Sequence, residues 1–423
     1  MDVESDTALL PRAELVKTTV AALPVPPGQK TTAASAGIDD EYGDGDMGSG
    51  SDEGPRLEYV THLETNSDNR HLAAALSSLE IKLYSTDTMA VIGQLQGHTG
   101  PLTQLAFAPS DSTSLFSASE DGTVRGWDTR LVGTTVTLGE SGDEVYSMAL
   151  GYDGRLCATG KDCLIEFYDL RKSGKPLGTY SECHTDAVTQ VRFHPHKRAF
   201  MLTGSEDGLM CLFDTEVSIE EDALDSVMNA ECPVRTVDFF GPKGEGVYCC
   251  TNTETLSLWH AEGAQRIKDF GDVRALARGE PPVDAGGSVA AASGVGATAA
   301  AAGKEWGVAV DCIVGCQYDT AADRLRLVTT GYNGEACVAT VTPEGITPNI
   351  VLETGHTEQI RTFQWNGRVV ATGGEDAKIC SWRISGTGDS GRTGLAAGAI
   401  GGFHDDDDDD DDDDAMDDDD GGR

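Results

Sequence analysis

The sequence is poor in positive charge, in aromatic residues and in long apolar runs. Lysine and arginine number 31 against 71 aspartates and glutamates, for a formal net charge of −40. A chain so unbalanced repels polyanions, which argues against nucleic acid and anionic membranes as partners and favours basic proteins. No window approaches the ~18 apolar residues that a membrane span requires. The opening MDVESDTALL carries acids where a secretory leader needs bases, so the expected compartment is intracellular, cytoplasm or nucleus. Cysteine is present (11) but odd in number and never as CxxC, which argues against a disulfide framework and against a metal site. Cys249-Cys250 and Cys312/Cys316 fall in strand-like runs and read as small buried apolar residues. GxSxG, GxxxxGK[ST] and HExxH are all missing, so no enzyme class and no cofactor are implied.

What is present is a repeat. Residues 97–130 open with Gly97-His98, turn at Asp121-Gly122 and close with Trp127-Asp128, with short alternating runs between. A unit of this length and punctuation describes one four-stranded propeller blade. Counting from His98, apolar residues fall at +4, +7 and +9 (Leu102, Leu105, Phe107), and the same offsets recur from His184 and His356. Weaker copies start at Ser141, Ala230 and Ala309, and a barely legible one at Arg56. The seven starts are separated by 42, 43, 43, 46, 79 and 47 residues, at or next to the expected 40–45 in five of six steps. The fold class expected is all-β, a seven-bladed β-propeller over residues 56–384.

Each copy ends on a matching marker, among them Tyr84-Ser85, Tyr168-Asp169, Phe213-Asp214, Trp259-His260 and Trp382-Arg383. In four copies an aspartate stands six residues before that ring: Asp121, Asp162, Asp207 and Asp376. A buried indole N–H needs an acceptor, and a Ser or Thr ten residues upstream can supply it. The pattern resembles the WD-repeat family. That resemblance assigns His98/Ser117/Asp121/Trp127 and His356/Thr372/Asp376/Trp382 as complete structural networks, with His184/Thr203/Asp207 lacking its indole because Phe213 stands there. A Ser-His-Asp set that repeats with a Trp at constant spacing is structural; a hydrolase has one set. The segment SECHTDAVTQVRFHPHKRAFMLTGSEDGLMCLFD, the EEDAL after it and GGEDAKICSWR near the end resemble the WD repeat-containing protein 89 family more than WD proteins at large. The resemblance covers most of residues 57–384, although blades one, five and six are too degenerate to compare. It implies a propeller without known catalytic activity.

The flanking segments follow from composition. Residues 1–13 are expected to be disordered and 14–23 to supply a strand that closes the ring, removing exposed sheet edges. Residues 24–55 read as an acidic Gly/Pro-rich loop and 273–305 as a Gly/Ala insertion that accounts for the 79-residue step. Residues 385–423 read as a disordered acidic tail with 14 aspartates in 405–414 and 417–420. His194-Pro195-His196 invites a metal reading, but an FHP turn is the expected role, and no metal is assigned. The function expected is a non-enzymatic protein–protein interaction scaffold. Glu120, Glu206 and Glu375, each just before a turn aspartate, form a candidate partner-binding rim against a lone Lys161. The alternative is a chaperone-like binder of basic proteins, such as a histone or ribosomal protein, through the aspartate tail. The oligomeric state is not encoded in any motif.

Overall fold

In the computed structural model, residues 10–21, 58–280 and 306–384 are described, apart from 132, 140, 141, 173 and 368. The loop expected at 24–55, the tail expected at 385–423 and the masses of Gly and Ala at 281–305 lie outside them, as do residues 1–9.

Seven four-stranded antiparallel sheets account for every named strand. Blades one to six occupy residues 60–95, 102–138, 147–180, 190–229, 234–272 and 312–352, each in simple meander order. Alternation, interrupted by a bulge, shapes the innermost strands: in Leu102–Ala108 the residues Leu102, Leu105 and Phe107 are buried, with the more open Thr103, Gln104 and Ala106 between them. The third strands (Leu209–Asp214, Thr255–His260) are buried along most of their length because a blade lies against each face.

The seventh sheet draws on both ends of the chain. Ile360–Asn366, Val369–Gly374 and Lys378–Arg383 supply three strands, and Glu14–Val20 pairs antiparallel with the last of these, Glu14 opposite Arg383 and Val20 opposite Lys378. The N-terminal segment also reaches sideways. Val351 donates to the Pro11 carbonyl at 3.1 Å and Ala13 to the Val351 carbonyl at 3.0 Å, so residues 10–13 lean on the outer strand of blade six. The expectation of disorder for 1–13 is corrected at these four positions, because Leu10 finds an apolar surface there and Arg12 pairs with Glu353 at 2.7 Å.

Ring closure is visible in the core. Seven apolar clusters exist among the described residues, one between each pair of neighbouring blades. The one between blade seven and blade one contains Ala371, Ala377 and Ile379 from the former and Val60, Leu63, Leu72 and Tyr84 from the latter. Each innermost strand touches the next, and the innermost strand of blade seven touches that of blade one.

The start of the expected insertion is also corrected. Residues 273–277 form a one-turn helix, α2 (Val273–Ala277), and the described chain runs to Glu280. Asp272 caps α2 by accepting the Arg274 N–H at 2.8 Å, and Val273 is buried between blades five and six. The EEDAL segment is likewise structured. Its one-turn helix, α1 (Glu220–Ala223), aims Glu220 at the backbone N–H groups of Ser181, Glu182 and Cys183, at 2.6, 2.8 and 2.8 Å. That carboxylate therefore holds the loop leading into His184. Among the described residues no helix is long and apolar enough to cross a membrane.

Candidate functional site

The loops entering each inner strand, together with the turns between second and third strands, form one face of the ring. Three of these loops are anchored from beneath. In blade two, Trp127 Nε1 donates to Ser117 Oγ at 2.8 Å, Ser117 Oγ lies 2.8 Å from His98 Nε2, and His98 Nδ1 lies 2.8 Å from Asp121 Oδ2. An indole can only donate, so Ser117 accepts from it and passes its own proton to His98 Nε2, leaving Nδ1–H for the carboxylate. Asp121 further accepts the Thr99 and Thr123 backbone N–H groups, each at 3.0 Å. Every member is satisfied, which is the condition under which a buried polar network fixes geometry.

Blade seven repeats the arrangement. Trp382 Nε1 donates to Thr372 at 2.8 Å, and His356 bridges Thr372 (2.8 Å) and Asp376 (2.9 Å). In blade four His184 bridges Thr203 at 2.8 Å and Asp207 at 3.1 Å, with Phe213 in the indole position. The glycine before each complete histidine passes over its indole: a Cβ on Gly355 would lie 2.9 Å from the Trp382 ring. In the Asp-Gly turns Gly122 and Gly208 take φ of 85° and 83°, a left-handed conformation that glycine adopts without cost.

The aspartates of these networks, and His184 and His356, titrate away from their ordinary values. Burial pushes the Asp121 and Asp376 carboxyls up, but hydrogen bonds from His98 and His356 and from the loop N–H groups outweigh it, and both sit well below the usual carboxylate range. Burial pulls His184 below its ordinary value against the opposing pull of Asp207. In blade seven burial acts the same way on His356, yet Asp376 and Cys380 overcome it and raise that ring to about 9. A doubly protonated His356 donates from both nitrogens, and the two lone pairs of Thr372 accept from it and from Trp382.

Blades three, five and six meet the same need with other partners, outside the ten-residue spacing. In blade three the Tyr168 hydroxyl donates to Glu166 at 2.6 Å, and Lys161 pairs with that carboxylate at 2.9 Å. In blade five Cys249 occupies the upstream position, and Trp259 donates instead to Ser257, two residues away, at 2.8 Å. Arg235 holds Glu254 at 2.8 Å and donates to the Ile313 carbonyl at 2.7 Å, tying blade five to blade six. Asp319 accepts from Trp365 Nε1 at 3.2 Å and faces Arg326 at 3.7 Å, tying blade six to blade seven. In blade one the buried Tyr84 hydroxyl has no hydrogen-bond partner among the described residues.

The rim residues fall on three different blades. Glu206 is exposed. Glu120 is half-buried, its pKa raised by burial and by neighbouring Glu144. Glu375 is already engaged by Arg361, whose Nε donates to it at 2.6 Å, so its charge is largely spoken for. Lys161, set against these acids in the sequence, is 4% exposed and neutralised by Glu166, so it does not offset the rim. Glu144 and Asp162, both near Tyr146, concentrate negative charge over blades two and three instead. A hydrolytic role for the Ser-His-Asp sets finds no geometry: Ser117 is fully buried and its hydroxyl is used by Trp127 and His98. His194 Nδ1 accepts the N–H groups of His196 and Lys197 at 3.0 and 2.8 Å, the bonds of a turn. Among the described residues no group of three or more His, Cys, Asp or Glu is placed to hold a metal.

Comparison with known proteins adds four findings. The family model described as WD domain, G-beta repeat, matches residues 89–128 and 174–214, the segments bearing the His98 and His184 networks. The WD repeat-containing protein 89 homolog of Dictyostelium discoideum is 30% identical over 314 residues, 74% of this chain and 79% of that protein. The WD repeat-containing protein GTS1 of Arabidopsis thaliana is 30% identical over 349 residues, 77% of this chain and 81% of that protein. Among solved structures, a chain from the crystal structure of the mitotic checkpoint complex superposes with a TM-score of 0.58 at 14% identity, covering 78% of this chain and 91% of that one, a likeness of fold.

Proposed function

The chain belongs to the WD-repeat family, alongside WD repeat-containing protein 89, and on that premise we propose that it is a non-enzymatic scaffold that holds other proteins on its loop face. One observation carries the proposal. The groups that could do chemistry are buried and consumed by each other, while the loops they hold carry surface carboxylates. Loops fixed from beneath lose little entropy on binding, so a partner meets a preformed surface. The acidic sector over blades two to four favours lysine- and arginine-rich segments and speeds their encounter.

A second reading rests on the sequence of the tail, whose 14 aspartates suit capture of basic proteins by charge alone, as an escort would. Affinity capture with three forms of the chain separates the two. A scaffold loses basic partners when Glu120, Glu206 and Glu375 are reversed to lysine and keeps them when residues 385–423 are removed. An escort shows the opposite pattern. Capture unchanged in both variants would overturn both readings.

A further inference from the structure

Each inner strand begins at a histidine-side loop and ends at the turn to the second strand, so these turns lie on the opposite face. Over blades four, five and six they enclose a cleft of about 540 Å³. Its walls are Phe193, Pro195, Phe239 and Tyr318, and its polar groups include Asp238 and Asp323. Asp238 marks the inner end, where the cleft meets the central channel: it lies on the innermost strand of blade five, 3.5 Å from Arg192 Nε of blade four.

Three ionisable groups act on one another at that end. Glu64, on the innermost strand of blade one, feels both Arg192 and Asp238. Blade one adjoins neither blade four nor blade five, so those fields act across the channel. Arg192 faces both carboxyls and already spends an N–H on the Val191 carbonyl at 2.8 Å. Burial pushes Glu64 up to about 8, with Arg192 opposing and Asp238 adding to the rise. Asp238 is 43% open by side chain yet ringed by protein, and that enclosure raises its pKa also. At the outer end Asp323 accepts from the Tyr318 hydroxyl, and Lys197 nearby is engaged by Glu262.

We propose that this cleft receives a lysine or arginine side chain from an extended segment of a partner protein, its stem against Phe193, Phe239 and Tyr318 and its charge between Asp238 and Asp323. Aromatic walls suit the apolar stem and the cation together, and Asp238 and Asp323 line the cleft as acceptors for its charge. The proposal rests on the scaffold reading only in taking the partner to be a protein; it uses the other face and different residues.

The test uses the full chain and a fluorescein-labelled nine-residue Gly/Ser peptide with one central arginine, with citrulline replacing arginine in the control. Polarisation is read at about 0.5 M salt, where screening within roughly 4 Å suppresses capture by exposed acids but weakens an enclosed pair less. Wild type binds the arginine peptide and not the citrulline one. Asp238→Asn combined with Asp323→Asn weakens binding at least about tenfold, the lower end of what losing a close charge pair at an interface costs. Asp323→Asn alone, at an exposed turn position of φ 51° that asparagine tolerates, weakens it about threefold without changing the melting temperature. The Glu120/Glu206/Glu375 reversal leaves it within twofold. Equal binding by wild type and both aspartate variants, or equal binding of the citrulline peptide, overturns the proposal while leaving the loop-face reading untouched.

Discussion

At the scale of the residue, the recurring quantity is whether a buried donor has an acceptor. Thr372 serves two such groups, Trp382 Nε1 and His356, whereas Thr203 serves only His184 because Phe213 has no N–H. Thr372→Val therefore strands two buried groups and is expected to cost about 2–5 kcal/mol, against about 1–3 kcal/mol for Thr203→Val. Urea denaturation of the two variants gives the ranking; equal losses would contradict the role given to the indole. The same groups set a pH profile. Asp121 and Asp376, held below their unfolded-state pKa, contribute stability that is full above about 4 and is lost as pH falls below it. His184, held below 6.5, works in the same direction, since its proton favours the unfolded chain as pH falls through 6.5. His356 acts oppositely: its contribution is full below 6.5 and disappears as pH rises through about 9. Urea midpoints measured from pH 4 to 10 should thus decline on both sides, and His356→Gln should flatten the decline between 6.5 and 9 relative to wild type. An unchanged alkaline slope would show that His356 is neutral in the fold.

At the scale of the element, the legible features were those with a fixed offset. Leu102, Leu105 and Phe107 and their counterparts located the inner strands, and Trp127 and Trp382 located the third strands, because burial between two blades tolerates little else. The partners in the degenerate blades had no such mark. Glu166 is two residues from Tyr168, Ser257 two from Trp259, while Glu254 reaches the Ile313 N–H on the next blade. Any nearby polar group that can satisfy a buried donor suffices, so the ten-residue spacing of the complete blades does not find them. The N-terminal segment shows a second limit. Residues 14–23 read as a strand, but nothing in Leu10, Pro11 or Arg12 discloses that these residues lean on Val351 of blade six. Similarly, α2 (Val273–Ala277) hides at the edge of a Gly/Ala-rich stretch whose composition masks the Asp272 cap. The rim acids were legible as charges, but the sequence could not show that Arg361 covers Glu375 or that Glu166 removes Lys161 from the account.

At the scale of the whole molecule, one topological fact supports the rest: blade seven is built from residues 14–20 and 360–383. Closure places an apolar cluster between the last blade and the first, aligns seven inner strands around a channel, and lets Glu64 of blade one feel Arg192 and Asp238 of blades four and five. A ring open at that seam would splay the loop face, and both proposed binding surfaces would lose their geometry. Hydrogen exchange of the intact chain, read by mass spectrometry peptide by peptide, tests the seam directly. Closure predicts that the backbone amides of Glu14–Val20 that pair with Lys378–Arg383 exchange slowly and together with those of the last strand, because the two share one ladder. Exchange of residues 14–20 at the rate of an unprotected peptide, with 378–383 still protected, would contradict the closed seven-bladed ring.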